Sequence, residues 1–435
     1  MSRVWHADRA GGLPLSANFL WTAAGNAVYA ACLWGVLSVL AKLGSAEMVG
    51  DYVLALALTA PVVMFTELQL REVQATDAQR RYSFADYLGL RLIAASIAFA
   101  VIVAMAVAMG YQGDTLLVIL AIGLSKAIES VSDTFHGLLQ QQERMDRAAK
   151  SLMIKGPLSL AVLAAALRLT GSVFWGALGL ALSWAAVLLG YDLPSGRLVL
   201  RQVHRVGVST LGPSGGQAVI RPRWEMRTLC SLAWLALPLG FARVLTSLNA
   251  NIPRYSLEIY LGRRELGIFA AMAYLKTVGD VVVTALGRSA SPRLARHYAA
   301  GEGAAFGRLV LGLVGAGLAL GAAGLAVALV AGRQILTLVY QPEFAAHADV
   351  LAWLMAAAAI SYVASFLGYG MMAARYVKVQ FPLLVATAGT TALACVWLVP
   401  AHGLRGAAMA LVLSAAVRAL GSTAVVMHSL RALRA

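Results

Sequence analysis

Lys126, Glu129, Asp133 and His136 follow one another at spacings of three, four and three, which sets them on one stripe of a helix. The surrounding residues are apolar enough to lie in a membrane, where an ionisable group is costly and faces a cavity or a partner. One reading makes the stripe a cavity wall, with a proton or cation site at Glu129 or Asp133. The other lets Lys126 and Glu129 neutralise each other and puts Asp133 and His136 near the cytoplasmic surface. Arg243 stands deep in another apolar run, just after Pro238 and Gly240, where a helix is expected to kink or unwind. Its guanidinium fork suits phosphate oxygens. Asp280 is either its partner or a separate coupling site. Arg91, Lys155 and Arg288 lie near the ends of runs and are expected to snorkel to the interface. Asn18 with Asn26, and Asn249 with Asn251, line the cavity or hydrogen-bond between helices.

No catalytic constellation accompanies these groups: the chain has no HExxH, no Walker loop and no GxSxG. Cys32, Cys230 and Cys395 are far apart in sequence and form neither a disulfide framework nor a zinc site. The expectation is a protein that is not an enzyme, with no catalytic residue, metal or cofactor, and with any driving force taken from an ion gradient, the membrane potential or the substrate gradient.

The elements that must position these residues are membrane helices. Of 435 residues, 60% are hydrophobic and 13% charged, with mean hydropathy +0.75. A soluble domain carries about 25% charged residues and could not hide so much apolar surface. Apolar runs of the length needed to cross a bilayer predict spans at 17–41, 49–70, 85–110, 115–139, 151–169, 172–191, 229–252, 266–288, 307–331, 348–374, 379–399 and 404–428. They lack the alternation of barrel strands. The net charge of +15 sits mostly in short loops, without interleaved stacking aromatics, so it is read as a topology signal and nucleic acid is set aside. About 21 Lys and Arg residues fall on one side of these spans, including Arg144, Arg147 and Lys150, against about 7 on the other. Both termini are then cytoplasmic, and the N-terminal stretch reads as a tail rather than a removed signal.

A Gly-, Ser-, Pro- and Arg-bearing stretch at 192–228 divides the chain into an N-terminal six-helix bundle, 1–191, and a C-terminal one, 229–435, joined by a basic cytoplasmic linker. The halves repeat. LGSAEMVGDYVLA (Leu43 to Ala55) matches LGRRELGIFAAMA (Leu261 to Ala273), Pro157-Leu158 and Pro382-Leu383 open the fifth and eleventh spans, and LALSWAAV echoes LVLSAAV in the sixth and twelfth. The fold class is therefore all-α integral membrane, about 12 transmembrane helices in two six-helix bundles related by a parallel pseudo-repeat. Transporters of this plan bind substrate between the halves and rock one against the other.

The run LPLGFARVLTSLNANIPRYSLEIYLGRRELGIFAAMAYL (Leu237 to Leu275) and the following ALGRSASPRLARHYAAGE (Ala285 to Glu302) resemble the start of the second half of bacterial polysaccharide flippases. These are Wzx-type members of the multidrug/oligosaccharidyl-lipid/polysaccharide exporter superfamily. QQERMDRAAKSLMIKGPLSL (Gln141 to Leu160) is similar to the loop before that family's fifth span, and YQPEFAAHADVLAWLM (Tyr340 to Met355) to the segment before its tenth. The resemblance covers nearly the whole chain. It implies a V-shaped pair of bundles in the bacterial inner membrane, flipping undecaprenyl-diphosphate-linked oligosaccharide to the periplasmic leaflet by alternating access. It further implies a cationic cavity, to which Arg243, Lys276 and Arg254 could contribute, with ion coupling at Glu129, Asp133 or Asp280. Expected partners are the polyprenyl-diphosphate-linked oligosaccharide, membrane lipids, and the polysaccharide polymerase and export machinery. An ion-coupled drug or cation exporter of the same superfamily stays open, and a dominantly negative cavity would favour it. A membrane glycan polymerase would need a large extracytoplasmic loop, which the predicted spans do not leave.

Overall fold

The computed structural model describes residues 13–77, 81–205 and 220–432. Among them there are helices and no strand. The first helices are α1 (Leu15–Leu43), α2 (Ala46–Thr66), the short α3 (Leu70–Thr76), α4 (Phe84–Ala108), α5 (Gly113–Gln141) and α6 (Met145–Thr170). Then come α7 (Val173–Val187), a π-helical turn at Leu188–Asp192, α8 (Leu193–Arg205), α9 (Met226–Leu261), α10 (Arg263–Tyr274) and α11 (Thr277–Ala299). The chain closes with α12 (Gly303–Val339), the single turn α13 (Pro342–Ala345), α14 (Ala348–Ala373) and α15 (Gln380–Ala432).

Eleven helical runs among the described residues are long and apolar enough to cross a membrane. The last is two helices in one. A straight helix of its 53 residues would run about 80 Å, far beyond a hydrocarbon core of about 30 Å. It breaks at Gly403 (φ 58, ψ −134), a conformation open essentially to glycine alone. With that break the described residues hold twelve candidate crossings, the number predicted.

Several boundaries differ from the sequence reading, each for a local reason. The fifth span begins at Met145 rather than at 151, and Pro157, expected to open it, lies inside α6. The sixth span does not stop at 191: the π turn carries α7 into α8, so the segment predicted as linker is helical as far as Arg205. Residues 206–219 of that segment lie outside the described residues, as do Arg3, Arg9, Arg80 and Arg434. The second span ends early, at Thr66, and α9 runs on through Pro238 and Gly240 without unwinding. Helix starts carry their own signals: at α4 the Ser83 hydroxyl accepts from the Asp86 backbone N–H while the Asp86 carboxylate accepts from that of Ser83, a reciprocal capping box.

The chain packs as two compact units. The first comprises Met1–Gly44 and Ala55–Ser247, and the second Ser45–Leu54 and Leu248–Ala435. Helices α2 and α9 each contribute to both. In the first unit, Leu68 and Leu70 pack with Tyr87, Leu90, Leu229, Leu232 and Ala236, tying the end of α2 to α4 and to the start of α9. In the second, Phe306, Leu367, Met371 and Val426 belong to one core cluster.

Candidate functional site: a mixed-charge cavity in the first unit

The site begins at the break in α2. After Thr66, Leu68 (φ 51) and Gln69 (φ 48) adopt left-handed backbone conformations, each costing roughly 1–2 kcal/mol for a residue with a Cβ. The cost is met by packing, because the break buries Leu68 and Leu70 against α9. Turn bonds satisfy the backbone: the Glu67 N–H donates to Val63 O at 2.8 Å and that of Leu70 to Glu67 O at 3.0 Å. Irregular backbone at membrane depth is tolerated where it lines a cavity or is enclosed by protein. Here it lines a cavity of about 650 Å³, which receives Glu67, Gln69, Arg71 and Glu72 from the break and the turn after it.

The opposite wall is the α5 stripe. Glu129 accepts from Lys126 Nζ at 2.8 Å and from Tyr29 Oη at 2.7 Å, so the predicted Lys126–Glu129 neutralisation is present and α1 joins it. Asp133 is held by Arg71 Nη1 at 2.9 Å, and Arg71 Nε also donates to Gln140 at 3.1 Å. Asp133 thus belongs to the cavity wall. His136 is buried within the protein, with Nε2 3.7 Å from Asp192. Arg91 and Lys155 do not snorkel as expected. Arg91 has no exposed surface, and its Nε and Nη1 donate to Thr134 and Ser130 of α5, both at 3.1 Å. It closes the cavity from α4, and its Nη2 is buried without a partner among the described residues.

Lys155 is buried beside Trp184 and donates to Ser132 Oγ at 2.8 Å; Ser132 in turn bonds Asp192. The π turn is what aims Asp192 inward. This cluster lies behind the α5 stripe, and the sequence reading missed it because it left Asp192 in a linker. Arg91 could have been found from the Ser130/Thr134 pair, whose i, i+4 spacing offers two hydroxyls to one guanidinium.

Arg243 lines the cavity from α9, exposed and without an ion pair among the described residues. Its helix is positioned by Gly240, whose missing side chain lets α9 approach the Phe65 carbonyl, and by the Phe65–Phe241 ring pair at 5.3 Å. Asp280 is not its partner: it pairs with Lys276 at 3.3 Å, one turn along α11 in the second unit. Arg254, also in the second unit, donates to Asn251 Oδ1 at 2.8 Å. Asn18, at the cavity, is structural: it donates to Leu13 O and accepts from the Met145 N–H, joining the starts of α1 and α6. No group of His, Cys, Asp and Glu among the described residues has the form of a metal site.

The cavity wall can therefore bind through hydrogen bonds and charge. Two of its ion pairs are already closed, Arg71 with Asp133 and Lys126 with Glu129. Glu67, Gln69, Glu72 and Arg243 are left to face a ligand, above the buried and unsatisfied Nη2 of Arg91.

Residues 15–297 match the family described as polysaccharide biosynthesis protein. The chain is 26% identical over 397 residues to the capsular polysaccharide biosynthesis protein CapF of Staphylococcus aureus, covering 91% of this chain and 95% of that one. Its fold is similar to that of a multidrug resistance MATE family transporter of the MOP superfamily in an inward-facing conformation, with TM-score 0.62, 13% identity and coverage of 99% and 98%. It is also similar to a MOP superfamily transporter from Pyrococcus furiosus, with TM-score 0.55, 14% identity and coverage of 96% and 95%. The chain is a multi-pass membrane protein belonging to the polysaccharide biosynthesis protein family, with the fold of the MOP transporters.

Proposed function

We propose that this protein flips a polyprenyl-diphosphate-linked oligosaccharide, of the undecaprenyl class, from the cytoplasmic to the periplasmic leaflet by alternating access. The observation that carries the reading is Arg243: a guanidinium exposed in a 650 Å³ cavity, on a chain of the polysaccharide biosynthesis family, with no carboxylate paired to it among the described residues. A free guanidinium at membrane depth is costly unless an anion comes to it. The cavity lies toward the membrane face where α1 begins and α5 ends, which the Lys and Arg distribution makes cytoplasmic, the side on which such a substrate is assembled. Arg254 and Lys276 supply further positive charge in the second unit, though each is already engaged, by Asn251 and Asp280. The setting is the bacterial inner membrane with both termini cytoplasmic, and the partners are membrane lipids and the polymerase and export machinery that use the flipped product.

Coupling to a proton or sodium ion would run through Glu129, Asp133 or Asp280. An ion entering at any of these competes with Lys126, Arg71 or Lys276, which hold them now. A second reading, an exporter of organic cations, draws on the four carboxylates in the cavity wall, Glu67, Glu72, Glu129 and Asp133, against the three guanidiniums of Arg71, Arg91 and Arg243.

One experiment separates the two. In a strain carrying Arg243→Ala at normal membrane abundance, surface polymer should fall at least about tenfold, a loss of roughly 1.4 kcal/mol in substrate recognition, and lipid-linked intermediates should accumulate. Unchanged polymer in that strain, with sensitivity to cationic drugs arising in Glu67→Gln, would favour the exporter.

A further inference from the structure

A pocket built for a bare diphosphate should surround it with donors. The first-unit cavity does not. Once its internal pairs are discounted, it offers free acceptors (Glu67, Gln69, Glu72) beside free donors (Arg243 and Arg91 Nη2), and Phe19, 70% exposed, presents a ring at the same wall. Arg91 is the most informative of these. Ser130 and Thr134 hold two of its nitrogens at 3.1 Å, so the direction of the third is fixed, yet that buried N–H group has no protein acceptor among the described residues. Leaving a buried donor unsatisfied is costly, the more so for a charged group, and an incoming oxygen atom would relieve it.

Planar acceptors and donors side by side, next to an exposed aromatic face, fit a ligand whose every hydroxyl both donates and accepts and whose C–H face is apolar. That ligand is a sugar ring. We infer that the first-unit cavity is a glycan subsite, binding a hydroxyl-rich pyranose of the cargo through Glu67, Gln69, Glu72 and Arg91, with Phe19 beneath the ring. The inference rests on the lipid-linked oligosaccharide reading and adds which part of the cargo this cavity grips. The volume of about 650 Å³ lies in the range of small-molecule sites, about 300–1,000 Å³. Carboxylates in the wall, awkward for a diphosphate, become hydroxyl acceptors, and Arg243 is left for the phosphate end.

The test is saturation-transfer difference NMR on the full chain in lipid nanodiscs. The probes are free glucose, N-acetylglucosamine and N-acetylgalactosamine at millimolar concentration, and inorganic pyrophosphate followed separately by phosphorus line broadening. Saturation should reach the ring protons of at least one sugar above an empty-nanodisc control. It should fall about tenfold in Glu67→Ala and in Phe19→Ala; the second variant changes an exposed side chain and serves if the first does not fold. No transfer to any sugar, or equal transfer in both variants, overturns the glycan subsite. Pyrophosphate broadening that Arg243→Ala abolishes, with no sugar signal, would sink this inference and leave the flippase reading standing. A sugar signal without pyrophosphate binding would support the subsite and count against Arg243 as the diphosphate group.

Discussion

Lys155 shows how much the environment of a single side chain decides. It sits one residue before Gly156-Pro157, near a predicted span end, where a long basic side chain ordinarily reaches for water. Instead it is buried, bonded to Ser132, stacked near Trp184 and linked through Ser132 to Asp192. Breaking a buried charge cluster from one side strands the remaining charge, at a cost of about 3–5 kcal/mol, whereas removing both charges is far milder. Lys155→Met should therefore lower the stability of the detergent-solubilised protein by about that amount. The double variant Lys155→Met/Asp192→Asn should recover at least half of the loss. Thermal unfolding of the three proteins checks this, and equal loss in single and double variants would mean that Lys155 and Asp192 do not act as one unit. At this scale the sequence was only partly legible. The spacing of Lys126, Glu129 and Asp133 was visible because i, i+3 and i, i+4 neighbours meet on a helix. Their partners Tyr29 and Arg71 come from other helices, and no spacing rule reaches across the fold.

At the scale of elements, the long helices were legible and the breaks were not. Apolar length marks a crossing, but helical hydrogen bonding does not stop where hydrophobicity does, so α9 and α12 extend past their apolar windows. Nothing in TELQLRE, the run from Thr66 to Glu72, announces the left-handed pair at Leu68 and Gln69, since it contains neither Gly nor Pro. Tertiary packing of Leu68 and Leu70 imposes it. The repeat-matched segments give an element-scale prediction. Within the second unit the start of α2 lies against α10 so closely that a Cβ on Gly50 would collide with the Arg263 carbonyl, and one on Gly267 with that of Ala46. Arg263 also reaches Asp51 at 2.9 Å. Close backbone approach through small residues drives helix packing in lipid, where there is no hydrophobic gain to replace it. Gly267→Leu should destabilise the protein by about 1–3 kcal/mol or more, while Gly312→Ala, whose Cβ would meet nothing, should be neutral. Comparable melting temperatures for both variants would show that this crossing contributes little.

For the whole molecule the decisive quantity is the asymmetry of charge along twelve crossings. The formal charge of +15 is weighted toward one end of the predicted crossings, with Arg144 between α5 and α6, Arg147 and Lys150 in the first turns of α6, and Arg293 and Arg296 in the last turns of α11. The other side keeps fewer, and several of those are neutralised locally: Arg263 by Asp51, Arg264 by Glu343 and Arg405 by Asp349. Arginines on the first side are paired as well, Arg71 with Asp133, Arg144 with Asp146 and Arg223 with Glu225, so local neutralisation leaves the difference between the two sides much as the sequence has it. Orientation, however, is set during insertion, when unpaired Lys and Arg near the span ends are retained on the cytoplasmic side. A fluorescent protein fused after Ser429 should therefore fluoresce, as should one in the segment between Gln142 and Arg144, while fluorescent fusions at Gly171 or Gln341 should be dark and an alkaline phosphatase fused at either of those two points should be active. The even number of crossings depends on the break at Gly403. If Gly403 did not separate two spans, the fusion after Ser429 would change sides while the one at Gln142 stayed put, so this pair of reporters tests the crossing count and the charge rule independently.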